Sequence, residues 1–194
     1  MASRDINLLH PSLKFAWLWL EANWKKQYPD RPQPFITATY RSHEEQQEKF
    51  DSGASKALPG QSLHNYSPAY AFDVAFDPKP GDGVGNDVTW AFTAYDQFGQ
   101  FSKENLGLVW GGDFEGLVDG PHHQLPMTWE DARDGHVIIP PRLIEKARAE
   151  SSQGQEKKVR VFVPGLEKQV GSATLIGDKV YVPSLVFKEM SDEA

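Results

Sequence analysis

The run Tyr70-Ala71-Phe72-Asp73-Val74-Ala75-Phe76 sets the hardest condition on how this chain folds. It alternates and then turns wholly apolar, as a strand leading through a core does, yet it holds a carboxylate at its centre. A lone carboxylate withdrawn from water is prohibitively unstable unless a cation or strong donors meet it, so Asp73 requires either a metal ion or a buried arginine. Candidate partners lie on both sides of it in sequence. Ser62-Leu63-His64-Asn65 brings one imidazole, and the distant Asp119-Gly120-Pro121-His122-His123-Gln124 brings two more.

Two histidines and one carboxylate form the ligand set of a catalytic zinc ion. Three protein ligands leave the fourth tetrahedral position open, whereas structural zinc sites close with four Cys or His ligands, and this chain has no Cys. His64, Asp73 and His122 make such a set. Asp119 precedes His122 by three residues, which lets it stand beside the metal without ligating it and take a proton from water as a general base. Taken alone, a His-His pair near an Asp is a weak signal.

The surrounding elements read as an α+β fold, a small antiparallel sheet flanked by helices. Pro11 to about Tyr28 is an amphipathic helix with Leu13, Trp17, Leu20 and Trp24 on one stripe and Pro11 in its first turn. Phe35 to Tyr40 is β-rich and ends at Arg41; Ser42 and Glu45 then form a capping box that opens a helix through about Phe50. Arg41 therefore sits at a strand-to-helix junction, where its planar guanidinium is free to hold a carboxylate or carbonyl bidentately, or to pair with Glu44, Glu45 or Glu48 on the surface. Gln46 is either turned into the same pocket or simply exposed. Asp51 to Gln61 is a loop delivering Ser62 and His64, and Asp77 to Asp87 is a solvated Gly/Pro/Asp loop.

Val88 to about Asn105 is expected to be a helix burying Phe92, Tyr95, Phe98 and Phe101. Gly107 to Trp110 begins a short strand entering the Gly111-Gly112-Asp113-Phe114 turn, with Trp110 and Phe114 either walling a cleft or lying in plain core. Thr128 and Asp131 cap a short helix, Pro140-Pro141 opens another through about Glu150, and His10 and His136 read as surface residues.

Several ordered motifs together resemble the M15 family of zinc peptidases, which includes D-Ala-D-Ala carboxypeptidases and the L-alanyl-D-glutamate peptidases of phage endolysins. They are TYRSHEEQQEKFDSGASKALPGQS, SLHNYSPAYAFDVAF, GLVWGGDF and DGPHHQL, within residues 8–150. The resemblance implies a hedgehog/DD-peptidase-like domain over residues 1–150. It implies zinc on His64, Asp73 and His122, Asp119 as acid/base and Arg41 as substrate anchor; Gln46, Ser62 and Trp110 are expected beside Arg41 among the substrate-binding residues. The substrate it implies is bacterial peptidoglycan, cut between L-Ala and D-Glu of the stem peptide. A D-Ala-D-Ala carboxypeptidase, a non-catalytic wall-binding protein of the same fold and a peptidase of free dipeptides are the rivals. The chain departs from the family pattern twice. The interval from His64 to Asp73 is about two residues longer than the commonest form, with Ser67-Pro68 where a Gly is usual. His123 stands where an aromatic is usual, which leaves His122 and His123 as rival third ligands; His122 is preferred because it keeps Asp119 at the family spacing.

A net charge of -7 and no concentrated basic surface argue against nucleic acid as a partner. No stretch approaches the ~20 apolar residues of a membrane span, and MASRDINLLHP has no apolar core of a signal peptide. The expectation is therefore a protein made in the cytoplasm that reaches the cell wall by another route, such as a holin pore. Oligomeric state is not legible.

Residues 151–158, SSQGQEKK, read as a linker, and residues 159–194 as a small β-rich module. Val159 to Val163, a Pro164-Gly165 turn, Ala173 to Ile176, a Gly177-Asp178 turn and Val180 to Val182 make a β-meander, followed by a helix from Ser184. This segment resembles the short repeat of copper amine oxidase N-terminal-like domains. With no His or Cys it implies no metal site, only packing, oligomerisation or wall association.

Overall fold

A computed structural model describes residues 2–79, 88, 89, 91–153, 174–176 and 179–181. The chain divides into two compact units, Met1–Ile144 and Glu145–Ala194.

In the first unit, helix α1 spans Pro11–Gln27 and buries Leu13, Ala16, Trp17, Leu20 and Trp24, the expected stripe. Leu13 and Leu20 each contribute roughly 1.5–3 kcal/mol when withdrawn from water. Trp24 meets Phe98 and Phe101 edge-on, at 5.2 and 5.6 Å between ring centroids. His10 is not a plain surface residue: it is the N-cap of α1, its Nδ1 accepting from the Ser12 amide at 3.3 Å. Burial lowers its pKa, which favours the neutral ring that this acceptor role needs.

Four strands form one antiparallel sheet in the order β1-β2-β4-β3: β1 Gln33–Ala38, β2 Ala71–Asp77, β3 Val109–Trp110 and β4 His122–Gln124. With helices α2 (His43–Asp51), α3 (Phe92–Leu106) and α4 (Trp129–Arg133) the fold is α+β, as expected. Strand β1 lies earlier than the expected Phe35–Tyr40 because Thr39 leaves the sheet to bond Ser3, its amide donating to the Ser3 carbonyl at 2.6 Å. Both capping boxes exist, Ser42 with Glu45 on α2 and Thr128 with Asp131 on α4.

Helix α3 starts at Phe92, not Val88, since Thr89 is held extended by a bridge to Phe76. Its first side chain consequently faces outward. Phe92 is 58% exposed while Tyr95, Phe98 and Phe101 are buried, which corrects the expectation that all four enter the core.

Helix α5 runs Pro141–Gln153, three residues into the expected linker, and the Ser151 hydroxyl donates to the Ala147 carbonyl near its end. In the second unit, β5 (Thr174–Ile176) pairs antiparallel with β6 (Lys179–Tyr181), the hairpin expected there. The Val159–Val163 strand, the Pro164-Gly165 turn and the helix from Ser184 fall outside the described residues.

Candidate metal centre

The sheet register builds half of the site. Asp73 on β2 and His122 on β4 are direct cross-strand partners, as are Phe72 and His123 one position along. Successive side chains on a strand point to opposite faces, so the two histidines cannot serve the same face. His122 turns toward Asp73, its Nδ1 lying 3.1 Å from Asp73 Oδ1. His123 turns into the core and stacks on Phe72, with centroids 5.3 Å apart and planes 4° from parallel. Geometry thus places His122, and not His123, beside Asp73.

His64 completes the cluster from a short 3-10 turn, Leu63–Asn65, whose N-cap is Ser62. Its Nε2 stands 3.1 Å from Asp73 Oδ1 and 3.3 Å from His122 Nδ1. Each ring has its other nitrogen occupied. His64 Nδ1 is 2.6 Å from the Thr39 carbonyl, and His122 Nε2 is 2.9 Å from Gln124 Oε1. Both outer partners only accept, so both outer nitrogens carry the proton. Gln124 is itself oriented by its amide donating to the Met127 carbonyl at 3.2 Å.

With both imidazoles neutral, three lone pairs, two imidazole and one carboxylate, face one another with no hydrogen between them. Acceptors so arranged repel, and a cation is what relieves them; the outer hydrogen bonds have the form by which proteins orient histidine ligands. Where a proton takes the cation's place, the same groups pair with one another. Burial would raise the Asp73 carboxyl, but the charge on His64 and the hydrogen bonds of both imidazoles hold it well below the usual range. Burial would lower His122, but its bond to Asp73 and that residue's charge hold it up. The group fits a metal site by donor type, convergence and burial.

The connection from His64 to Asp73 carries a cis Ser67-Pro68 peptide. Backbone bonds knit the cluster to its supports. The Arg41 amide donates to the His64 carbonyl at 2.9 Å, and Asn65 Nδ2 to the Arg41 carbonyl at 2.9 Å.

Asp119 lines the cleft that opens over these groups, a space of about 970 Å³. Its pKa is raised, first by burial and then by the charge of Asp73. The Gly-Gly turn places it: a Cβ on Gly111 would lie 2.4 Å from the Asp119 carbonyl oxygen, so only glycine allows that approach. The Asp119 amide donates to the Gly111 carbonyl at 2.9 Å.

Arg41 lines the same cleft, with Nη2 3.5 Å from Asp73 Oδ2 and Nη1 donating to Gln46 Oε1 at 2.9 Å. Among the described residues its Nε has no partner.

No family model matches the chain. A search of curated proteins finds the L-alanyl-D-glutamate peptidase of Listeria phage A118, 34% identical over 91 residues. That stretch is 46% of this chain and 29% of the phage protein, so the chain spans under a third of that relative. Among solved structures it is similar to the L-Ala D-Glu endopeptidase ChiX of Serratia marcescens, with 24% identity, a TM-score of 0.47, and coverage of 68% of this chain and 92% of that one.

The remaining expected residues fall in three places. Ser62 and Phe114 line the cleft, and the Phe114 ring stands 5.6 Å from that of His122. Gln46 is fully buried rather than exposed, behind Arg41, its amide donating to Ser55 Oγ and to the Ala57 carbonyl. Trp110 is away from the cleft and 2% exposed, its indole N–H donating to the Gly120 carbonyl at 2.7 Å. Its ring packs so closely on α3 that a Cβ at Gly99 would lie 2.2 Å away. Trp110 thus supports the Asp119 turn from behind and does not line the cleft. Gln124, which fixes the His122 ring, was missed; its position two residues after His122 on one strand face was the available signal.

Proposed function

We propose that this chain is a zinc-dependent peptidase that hydrolyses the bond between L-Ala and D-Glu in peptidoglycan stem peptides, acting on the bacterial cell wall. The observation that carries the reading is the convergence of His64 Nε2, Asp73 Oδ1 and His122 Nδ1, 3.1 to 3.3 Å from one another, in the lining of an open cleft that Asp119 also lines. Similarity to a phage L-alanyl-D-glutamate peptidase supports the choice of bond. Among the described residues no helix is long and apolar enough to cross a membrane.

His64, Asp73 and His122 would hold the zinc. When bound there it supplies Lewis-acid polarisation of the scissile carbonyl and makes water acidic at neutral pH. Asp119 accepts the proton of the attacking water as the carbon–oxygen bond forms, then returns it to the departing D-Glu nitrogen as the carbon–nitrogen bond breaks. Its raised pKa suits both halves of that task, since a base that holds its proton more firmly also delivers it from a populated acid form. Arg41 holds a substrate oxygen, its guanidinium kept in place by Gln46 on one side and Asp73 on the other. Phe114 shields the His122 side of the cleft from water.

Mass spectrometry of defined stem peptides after incubation with zinc-loaded and chelated protein tests the reading. A zinc-dependent fragment beginning at D-Glu is expected. Loss of a terminal D-Ala instead, or no product, overturns it.

A further inference from the structure

Charged groups that no described residue neutralises line the cleft. Lys49 and Lys56 belong to its lining on one side and Glu115 on the other. Among the described residues none of the three has an ion pair or a hydrogen bond through its charged group, whereas Lys103 pairs with Asp113 and Arg133 with Asp134. The two sides come close. The Lys56 ammonium stands 3.6 Å from where a Cβ on Gly116 would lie, and Gly116 directly follows Glu115. Leu117 and Val118, 42% and 57% exposed, continue the Glu115 side and also line the cleft.

Opposite charges that face one space without pairing, beside exposed aliphatic surface, are complementary to a ligand carrying both charges at the end of an aliphatic chain. Stem peptides differ in this respect at their third residue. A lysine there ends in an ammonium alone; a meso-diaminopimelate ends in an ammonium and a carboxylate on one carbon.

We infer that this part of the lining is a specificity subsite for stem peptides of the diaminopimelate type. Lys56, with Lys49 behind it in the same lining, takes the side-chain carboxylate, Glu115 takes the ammonium, and Leu117 and Val118 cover the methylenes between. A lysine-type peptide would keep the Glu115 contact but bring its ammonium against two lysines. Exposed ion pairs each change affinity only a few-fold, so the combined preference is about tenfold rather than absolute.

This inference rests on the peptidase reading, and one experiment separates the two. The zinc-loaded full chain is given three tetrapeptides, L-Ala-γ-D-Glu-X-D-Ala, with X as meso-diaminopimelate, as the same residue amidated on its side-chain carboxylate, and as L-Lys. The expected kcat/KM is about tenfold higher for the first than for the other two, because only it offers both charges. In Lys56→Glu, an exposed substitution, the ratio collapses to one or inverts. Equal cleavage of all three by the wild type overturns the subsite and leaves the peptidase standing. A preference that survives Lys56→Glu overturns the assignment to Lys56. Cleavage of none at the L-Ala–D-Glu bond overturns the peptidase and the subsite with it.

Discussion

Replacing His123 by Phe should flatten the response of stability to acid. His123 is fully buried between Phe72 and Phe98, with Nδ1 3.1 Å from the Pro121 carbonyl and, among the described residues, no partner for Nε2. Burial depresses its pKa to about 3. In the unfolded chain the ring titrates near 6.5, so between these values the unfolded state binds the extra proton. The stability this neutral ring allows is complete above about 6.5 and is lost as pH falls toward about 3; by proton linkage the loss at pH ~5 is about 2 kcal/mol.

Phenylalanine has no proton to gain. At pH ~8 two effects oppose: removing an unpaired buried nitrogen gains about 1–3 kcal/mol, and inserting a bulkier ring costs about as much. The Pro121 carbonyl is not orphaned, because it still accepts from the Val74 amide at 3.1 Å. The variant should therefore match the wild type near pH ~8 and exceed it by about 2 kcal/mol near pH ~5. Urea denaturation of both chelated proteins across this range measures the gap. Curves that stay parallel would refute the account, since every other titrating group is common to the two proteins.

Three further outcomes are expected. Asp119→Asn should lower kcat about a hundred- to ten-thousandfold with bound zinc unchanged by elemental analysis; in the wild type, activity is lost as pH falls through the pKa of Asp119, and burial with the Asp73 charge places that limb above the position of an ordinary aspartate. Gln124→Ala frees the outer nitrogen of His122 and should weaken zinc binding about 10–100-fold in a chelator competition, whereas unchanged affinity would remove the tautomer argument. Gly111→Ala puts a methyl 2.4 Å from the Asp119 carbonyl oxygen and 2.9 Å from His122 Cβ, so a lower melting temperature and weaker zinc retention are both expected, and a variant that keeps both would show that the turn yields.

The sheet, the main helices and the need of Asp73 for a buried cationic partner were legible because each has a local signature: the Trp17, Leu20 and Trp24 stripe, the Ser42 and Glu45 box, the carboxylate inside an apolar strand. What the sequence hid depends on distant partners. Gln46 lies in the polar run HEEQQEKFD and looks exposed; it is buried because Arg41, an element away, needs its acceptor. Trp110 resembles a cleft wall until the gap over Gly99 is seen. The choice between His122 and His123 follows from alternation only once Asp73 is known to face His122, and that register is a property of the assembled sheet.

The carbonyl that orients His64 belongs to Thr39, and Thr39 is held by the start of the chain. Its amide and hydroxyl both donate to the Ser3 carbonyl, at 2.6 and 3.1 Å, and the hydroxyl also lies 3.0 Å from the Asp5 carbonyl. A leading tag that drags on these residues, or their removal, would spare every ligand and still loosen one of them. Zinc occupancy would then act as a gauge of whether the N-terminal segment has docked, because binding energy at a site assembled from separate stretches is also folding energy.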